Sequence, residues 1–438
     1  MKVSVIGTGY VGLVSGVGFA DHGHKVTCVD IDEEKVEAIN SGEPPIYEEG
    51  LEELLEEAVG SGRLSATTDT DKAVKKSDIT FICVGTPSRE YGGIDTTYVE
   101  NAAEDVSKAL GEKDGYHVVV VKSTVVPGTT DGVVKEILES SGKKVGKHIG
   151  LGMNPEFLRE GAALKDFLNP DRIVIGGWDE KSRKVMKRVY ESFDAPKLVT
   201  DIRTAEMIKY SSNSLLATKI SFANELSRVC EAVGVDVYDV MDGVGLDHRI
   251  DRDFLNAGPG FGGSCFPKDV KALKNLADEK GIKTELLDSV LSINREQPVH
   301  TVEILEKQLG HLKGKRVAVL GLTFKGGTDD TRETRALPMV ESLLKKDAEV
   351  VGYDPKGMEN FSDLLEHDGT EYAESIEDAL LDADACIIQN DWDEFKELHG
   401  DDFDRMKDKV VLDGRRVLDE EELDEDIVYL SVGKPRVD

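Results

Sequence analysis

A cysteine closes a glycine-rich run, Gly258-Pro259-Gly260-Phe261-Gly262-Gly263-Ser264-Cys265-Phe266-Pro267-Lys268-Asp269. Val270, Leu273 and Ala277 follow at helical spacing, so a helix is expected over Val270 to Ala277 with Pro267 near its start, where a missing N–H does no harm. Cys265 would then lie just before a helix N-terminus, where the dipole and unpaired N–H groups favour a thiolate. Glycines let a ligand approach the backbone closely. A lone cysteine is more often a buried structural thiol. Here a glycine loop, a helix start and the adjacent Lys268-Asp269 coincide, and together they point to a nucleophile.

The elements that must position this thiol begin at the N-terminus. An apolar run over residues 2–6 leads into Gly7-Thr8-Gly9-Tyr10-Val11-Gly12, a helical stretch to about His22, and a second apolar run, Lys25 to Val29, ending at Asp30. Strand, G-x-G-x-x-G, helix, strand and acid in that order are the signature of dinucleotide binding, with a pyrophosphate at the helix N-terminus. Asp30 lies 18 positions after Gly12 and would accept from a ribose 2′-OH while repelling a 2′-phosphate, so NAD is expected over NADP. Lys35 lies within reach of the adenosine ribose or phosphate, although taken alone it reads as a solvated charge.

The alternation continues through Ile79 to Val84, His117 to Val121, Gly150 to Met153 and Ile173 to Ile175. Strands alternating with helices predict a doubly wound parallel sheet, which binds ligands beyond the carboxyl ends of its strands. Thr86, Thr124 and Glu156 each fall just past such an end; singly each reads as a loop or cap residue, jointly they outline a crevice. A long helical pattern runs from about Thr204 to Val233, with Met207, Leu215, Leu216, Ile220, Phe222 and Leu226 on more than one face, as expected of a helix that also meets a partner subunit. Lys209 and Asn213, four apart, share one of its faces. A second α/β pattern follows: Arg316 to Leu320, Glu349 to Tyr353, Ala385 to Ile388 and Val410 to Leu412, without G-x-G-x-x-G. Lys325 and Arg415 follow strand ends there and could neutralise a second phosphate-bearing ligand. The acidic stretch Asp419 to Asp426 reads as solvated surface.

Composition narrows the setting. Of 438 residues, 86 are Asp or Glu and 54 are Lys or Arg, for a net charge of −32. The acid is dispersed among apolar periodicity, which argues against disorder, against nucleic-acid binding by phosphate neutralisation and against an anionic membrane surface. Such a surface fits a halophile, where counterions screen self-repulsion. Five cysteines, Cys28, Cys83, Cys230, Cys265 and Cys386, show no C-x-x-C spacing, so neither zinc nor a disulfide framework is expected, and a reducing, cytoplasmic setting follows. The chain opens on a strand without a signal peptide, and no apolar run approaches a membrane span.

With these residues in place, the chain resembles the UDP-glucose/GDP-mannose dehydrogenase family over essentially its whole length. The resemblance rests on Gly7-Thr8-Gly9-Tyr10-Val11-Gly12, Val84-Gly85-Thr86-Pro87, Lys122-Ser123-Thr124, Asn154-Pro155-Glu156-Phe157, Gly262-Gly263-Ser264-Cys265 with Phe266-Pro267-Lys268-Asp269, and Phe324-Lys325. It implies two Rossmann-like doubly wound domains joined by a long central helix and a helical dimerisation segment: an NAD domain over 1–197, a central domain over 198–298 and a nucleotide-sugar domain over 299–438. It also implies NAD-dependent four-electron oxidation of a nucleotide-sugar C6 alcohol to the uronate by a homodimer, with no metal.

The roles it implies fall as follows. Cys265 captures the aldehyde as a thiohemiacetal that is oxidised to a thioester. Lys209 and Asn213 stabilise charge on the reacting oxygen, Asp269 with Thr124 positions the hydrolytic water, and Glu156 serves as a base. Gly7, Gly9, Tyr10, Val11, Gly12, Asp30, Lys35, Thr86, Thr124, Glu160, Lys268 and Arg332 hold NAD. Glu156, Phe157, Leu158, Lys209, Asn213, Phe254, Gly258, Gly262, Phe324, Lys325 and Arg415 hold substrate, and Arg249, 16 positions before Cys265, reaches in from the neighbouring subunit. The chain departs from common family forms at Gly326-Gly327 and at Thr334-Arg335 after Arg332-Glu333. UDP-glucose is favoured as substrate. GDP-mannose or a UDP-N-acetylhexosamine is the alternative within the family, although Ser264 stands where the hexosamine branch tends to have His. A hydroxyacid dehydrogenase would leave Cys265 and the third region unexplained, and a non-catalytic NAD sensor would have no use for Lys209, Asn213, Cys265 and Asp269.

Overall fold

Lys2–Ile6 forms β1, and its last four residues are buried on both faces, as a central strand of a parallel sheet requires. The computed structural model describes residues 1–435. Around β1 in the first compact unit, Met1–Ser212, lie β2 (Lys25–Val29), β3 (Leu64–Thr67), β4 (Ile79–Ile82), β5 (His117–Val121), β6 (Ile149–Met153), β7 (Ile173–Gly177) and β8 (Lys197–Thr200). Their order is β3-β2-β1-β4-β5-β6-β7-β8, parallel throughout except at the β6–β7 joint, where Gly152 faces Gly177. Phe19, Phe81, Phe167, Tyr190 and Phe193 knit one core, with Phe19 and Phe81 centroids 4.9 Å apart. Burying each such ring contributes roughly 1.5–3 kcal/mol.

The helix Ile202–Val233, 32 residues long, leaves this unit and continues into the second, Asn213–Asp438. There follow helices Val237–Gly245, Phe266–Glu279 and Glu285–Leu309. Pro298, at the expected boundary between the central and last segments, sits inside the last of these helices. The second sheet comprises β9 (Arg316–Leu320), β10 (Glu349–Tyr353), β11 (Thr370–Tyr372), β12 (Ala385–Ile388), β13 (Val410–Asp413) and β14 (Val428–Ser431), all parallel, in the order β11-β10-β9-β12-β13-β14. This repeats the order of the first six strands of the first sheet, so both sheets are doubly wound. The acidic stretch before β14 is exposed, as expected, but the strand after it pairs with β13.

The repetition extends to the first turn of each sheet. Gly7 after β1 has φ +92, and Asp30 at the end of β2 accepts from the Thr8 amide (2.8 Å) and hydroxyl (2.6 Å). Gly321 after β9 has φ +95, and Asp354 after β10 accepts from the Thr323 amide (3.0 Å) and hydroxyl (2.9 Å). Asp354 is fully buried and its other oxygen takes the Lys356 and Gly357 amides, whereas Asp30 is half-buried. Only the first sheet keeps its acid accessible to a ribose. Among the described residues no helix is long and apolar enough to cross a membrane.

Candidate active site

In the first unit, helix Tyr10–Asp21 starts at Gly9 with no side chain capping its first amides. A Cβ on Gly12 would stand 1.9 Å from the Gly7 carbonyl oxygen, while one on Gly9 would meet nothing within 4 Å. Gly12 therefore lets the helix pack on the strand turn, and Gly9 leaves room for a ligand against the uncapped amides of Tyr10 and Val11. Burial alone would raise the Asp30 carboxyl; the Thr8 hydroxyl and amide and the Asp32 amide outweigh it and hold the group below the ordinary aspartate value. This arrangement fits a dinucleotide pyrophosphate and an adenosine ribose. Lys35 is half-buried, 3.9 Å from Asp32. Thr86 and Thr124 stand partly buried past β4 and β5, and Glu160 is also partly buried.

Beyond β6 the chain turns at Asn154-Pro155-Glu156. Asn154 is buried and anchors the turn: its amide donates to the Val174 carbonyl (2.8 Å), and its oxygen accepts from Lys122 Nζ (2.9 Å) and the Tyr190 hydroxyl. Burial pulls the Lys122 ammonium down to about 8. Glu156, also buried, takes the Leu158 amide on Oε2 (2.7 Å) and Lys209 Nζ on Oε1 (2.8 Å). Burial pushes this carboxyl up, but the Lys209 charge and hydrogen bond bring it below the ordinary glutamate value. Phe157 flanks the pair, with Lys209 Nζ 5.5 Å and the Arg172 guanidinium 3.9 Å from its ring centre.

In the second unit Cys265 is the exposed N-cap of helix Phe266–Glu279, with Pro267 in the first turn. The helix thus begins four residues before Val270. The other four cysteines are buried and unbonded. The Asp269 amide donates to the Cys265 carbonyl at 2.9 Å, which closes the first turn. Asp269 is buried, and its two oxygens are taken by Asn213 Nδ2 and Lys268 Nζ, each at 2.6 Å. Gly263, at φ +77, receives the Phe324 ring, which a Cβ would meet at 2.8 Å. Gly262 likewise abuts the Glu333 carbonyl, and Lys325 lies 5.7 Å from the Phe324 ring centre.

The loop before the cysteine is pinned by polar side chains. Asn224 Oδ1 accepts from the Gly258 amide (2.8 Å), Asn294 brackets the Phe261 amide and carbonyl (2.7 and 2.9 Å), and Arg415 donates to the Gly260 carbonyl (2.9 Å) and the Gln389 carbonyl (3.0 Å). Phe254 holds φ +65 and meets Phe266 edge-on. Three expected ligand cations are held by adjacent acids: Lys268 by Asp269, Arg332 by Asp330 and the exposed Arg249 by Asp247. Both departures find an account. The buried Arg335 donates to the Glu333 carbonyl at 2.7 and 3.1 Å, holding that residue at φ +52. Gly326 sits where a Cβ would press on the Trp392 and Asp391 backbone, and its amide bonds Asp391. Lys122 and Asn154 lie inside the quoted motifs but are given no role there, and Asn224 and Asn294, which pin the loop before the cysteine, lie in helices with no motif to signal them.

Family models for the UDP-glucose/GDP-mannose dehydrogenase family match residues 1–194 (NAD binding domain), 203–296 (central domain) and 318–420 (UDP binding domain). A UDP-glucose 6-dehydrogenase of Haloferax volcanii is 45% identical over 95% of this chain and 97% of its own length. A UDP-glucose dehydrogenase of Pyrobaculum islandicum superposes with TM-score 0.91 at 44% identity, covering 99% of this chain and 97% of that one. A UDP-D-ManNAc dehydrogenase of Pyrococcus horikoshii superposes with TM-score 0.88 at 30% identity, covering both chains in full. The chain, with its exposed thiol and its two doubly wound sheets, belongs to the UDP-glucose/GDP-mannose dehydrogenase family.

Proposed function

We propose that the protein oxidises the C6 alcohol of UDP-glucose to the carboxylate, passing one hydride to each of two NAD molecules in turn. The observation that carries this reading is Cys265, exposed at the head of a helix whose next turn holds Asp269, fixed on both oxygens. NAD, held at Gly7–Gly12 and Asp30, supplies the hydride acceptor. The first oxidation leaves an aldehyde. Cys265 adds to it and gives a thiohemiacetal, whose C–H can leave as a second hydride to yield a thioester. Water then cleaves the C–S bond, releasing the carboxylate and regenerating the thiol. Lys209 and Asn213 offer donors for charge on the reacting oxygen, Glu156 accepts a proton, and Asp269 orients the water. Lys325, Arg415 and the Gly258–Gly262 loop bind the nucleotide sugar. The experiment is a count of NADH released per sugar over a panel of UDP- and GDP-sugars; two NADH with UDP-glucose supports the reading, and turnover confined to another sugar removes it.

The active form is a homodimer paired through the long helix. Leu215, Phe222 and Val229 recur every seven residues along it and are 63%, 48% and 52% exposed, a row suited to a second copy. Arg249 then reaches the neighbouring site. Sedimentation should give a dimer that Phe222→Asp dissociates, and mixed Arg249→Ala and Cys265→Ala subunits should regain activity; a monomeric wild type contradicts this.

A further inference from the structure

Glu48 stands in a run of acids, Glu48, Glu49, Glu52 and Glu53, and is buried while the other three are exposed. A buried carboxylate is costly unless its oxygens are bonded. The Glu48 oxygens receive the Tyr10 hydroxyl, the Gly161 amide (3.1 Å) and the Leu164 amide (3.2 Å). The Gly161 amide also donates to the Tyr10 hydroxyl oxygen at 2.6 Å. Tyr10 is the first residue of the helix behind the dinucleotide loop. The short helix Ala163–Leu168 has no capping side chain of its own, so Glu48 supplies its acceptor from a distant segment. The turn so held begins at Phe157 and Leu158, and the Leu158 amide bonds the same Glu156 carboxylate that pairs with Lys209.

We propose that Glu48 is a positioning residue for the reaction: with Tyr10 it clamps the 157–164 turn to the head of the dinucleotide helix and so sets the Glu156–Lys209 pair. The kinetic part rests on the dehydrogenase reading; the clamp itself does not.

The test compares Glu48→Gln, Tyr10→Phe and the double variant by amide hydrogen exchange of peptides covering 157–165 and 79–84, and by kcat and KM with UDP-glucose at saturating NAD. Exchange in 157–165 should rise about tenfold or more in each single variant, with 79–84 unchanged, because a local opening loses one stabilising acceptor. Turnover should fall about tenfold through kcat with a smaller change in KM, and the double variant should be no worse than Glu48→Gln. Unchanged exchange in the turn, a uniform rise across the unit, or single effects that multiply would overturn the clamp. If Glu48→Gln does not fold, Tyr10→Phe, which deletes one oxygen, carries the same readouts. A wild type inactive on UDP-glucose would refute the dehydrogenase reading and leave the exchange result to decide the clamp.

Discussion

Asn213 donates its side-chain amide to Asp269 at 2.6 Å, and Lys268 closes on the other carboxylate oxygen at the same distance. The acid is thereby fixed one helical turn after the Cys265 thiol. Four residues earlier on the long helix, Lys209 makes the corresponding bond to Glu156 in the first unit. Lys209 and Asn213 stand four positions apart in the sequence of this helix.

Lys209→Met should strand the Glu156 carboxylate. Removing one partner of a buried pair costs about 3–5 kcal/mol, and losing a donor to the reacting oxygen about 10²–10³ in kcat. Because Lys209 holds Glu156 below its ordinary value, the pair's contribution is present above the unfolded glutamate value of 4.5 and fades as pH falls through the lower folded one. Denaturant titrations across pH 3 to 7 should show wild type losing this contribution as pH falls, whereas the variant, whose Glu156 burial now raises, gains stability toward acid pH, so the gap between the two narrows as pH falls. Superimposable curves would remove the pair from the account.

Glu206 gives the opposite sign. Fully buried, it accepts from the Gly128 and Thr130 amides at 2.7 and 2.9 Å and so holds the loop after Lys122-Ser123-Thr124. Burial raises its carboxyl to about 7, against those two amides. The folded state therefore binds a proton that the unfolded state releases, so stability is full below pH 4.5 and declines as pH rises toward 7, by on the order of 2–3 kcal/mol. Glu206→Gln should flatten that decline whatever constant offset it brings. A variant with the wild-type slope contradicts the assignment.

The charge of −32 predicts salt dependence. The Debye length shrinks from about 10 Å at 0.1 M to about 3 Å at 1 M, which relieves repulsion among exposed acids. Melting temperature and activity should climb together as KCl is raised toward molar concentration. Full activity with an unchanged melting point in dilute buffer would exclude salt adaptation.

The strands of both sheets were largely legible because buried parallel strands read as apolar runs followed by glycine or acid, as at Val3–Gly7 and Val317–Gly321. Short edge strands were not. Leu64–Thr67 and Thr370–Tyr372 are three or four residues long and half-polar, and β14 follows an exposed acidic stretch that masks it. The motifs singled out Cys265, Asp269 and Glu156, and helical spacing Lys209 with Asn213, but not the bonds that hold them. Glu48 is one acid among several, and only burial separates it. Arg335 stood only as a departure from common family forms until the backbone of Glu333 supplied its acceptor. That Lys268, Arg332 and Arg249 are each drawn to a neighbouring acid depends on rotamers that spacing does not encode.

The central claim is a covalent route through Cys265. Mass spectrometry of Asp269→Asn, quenched during turnover with UDP-glucose and NAD, tests it most directly. The account predicts a nucleotide-sugar adduct confined to the peptide carrying Cys265 and absent from Cys265→Ala, whose uronate formation should fall by roughly 10⁴-fold or more, the scale set by a lost nucleophile. A Cys265→Ala enzyme that forms the uronate and releases two NADH per sugar at a near wild-type rate would contradict it.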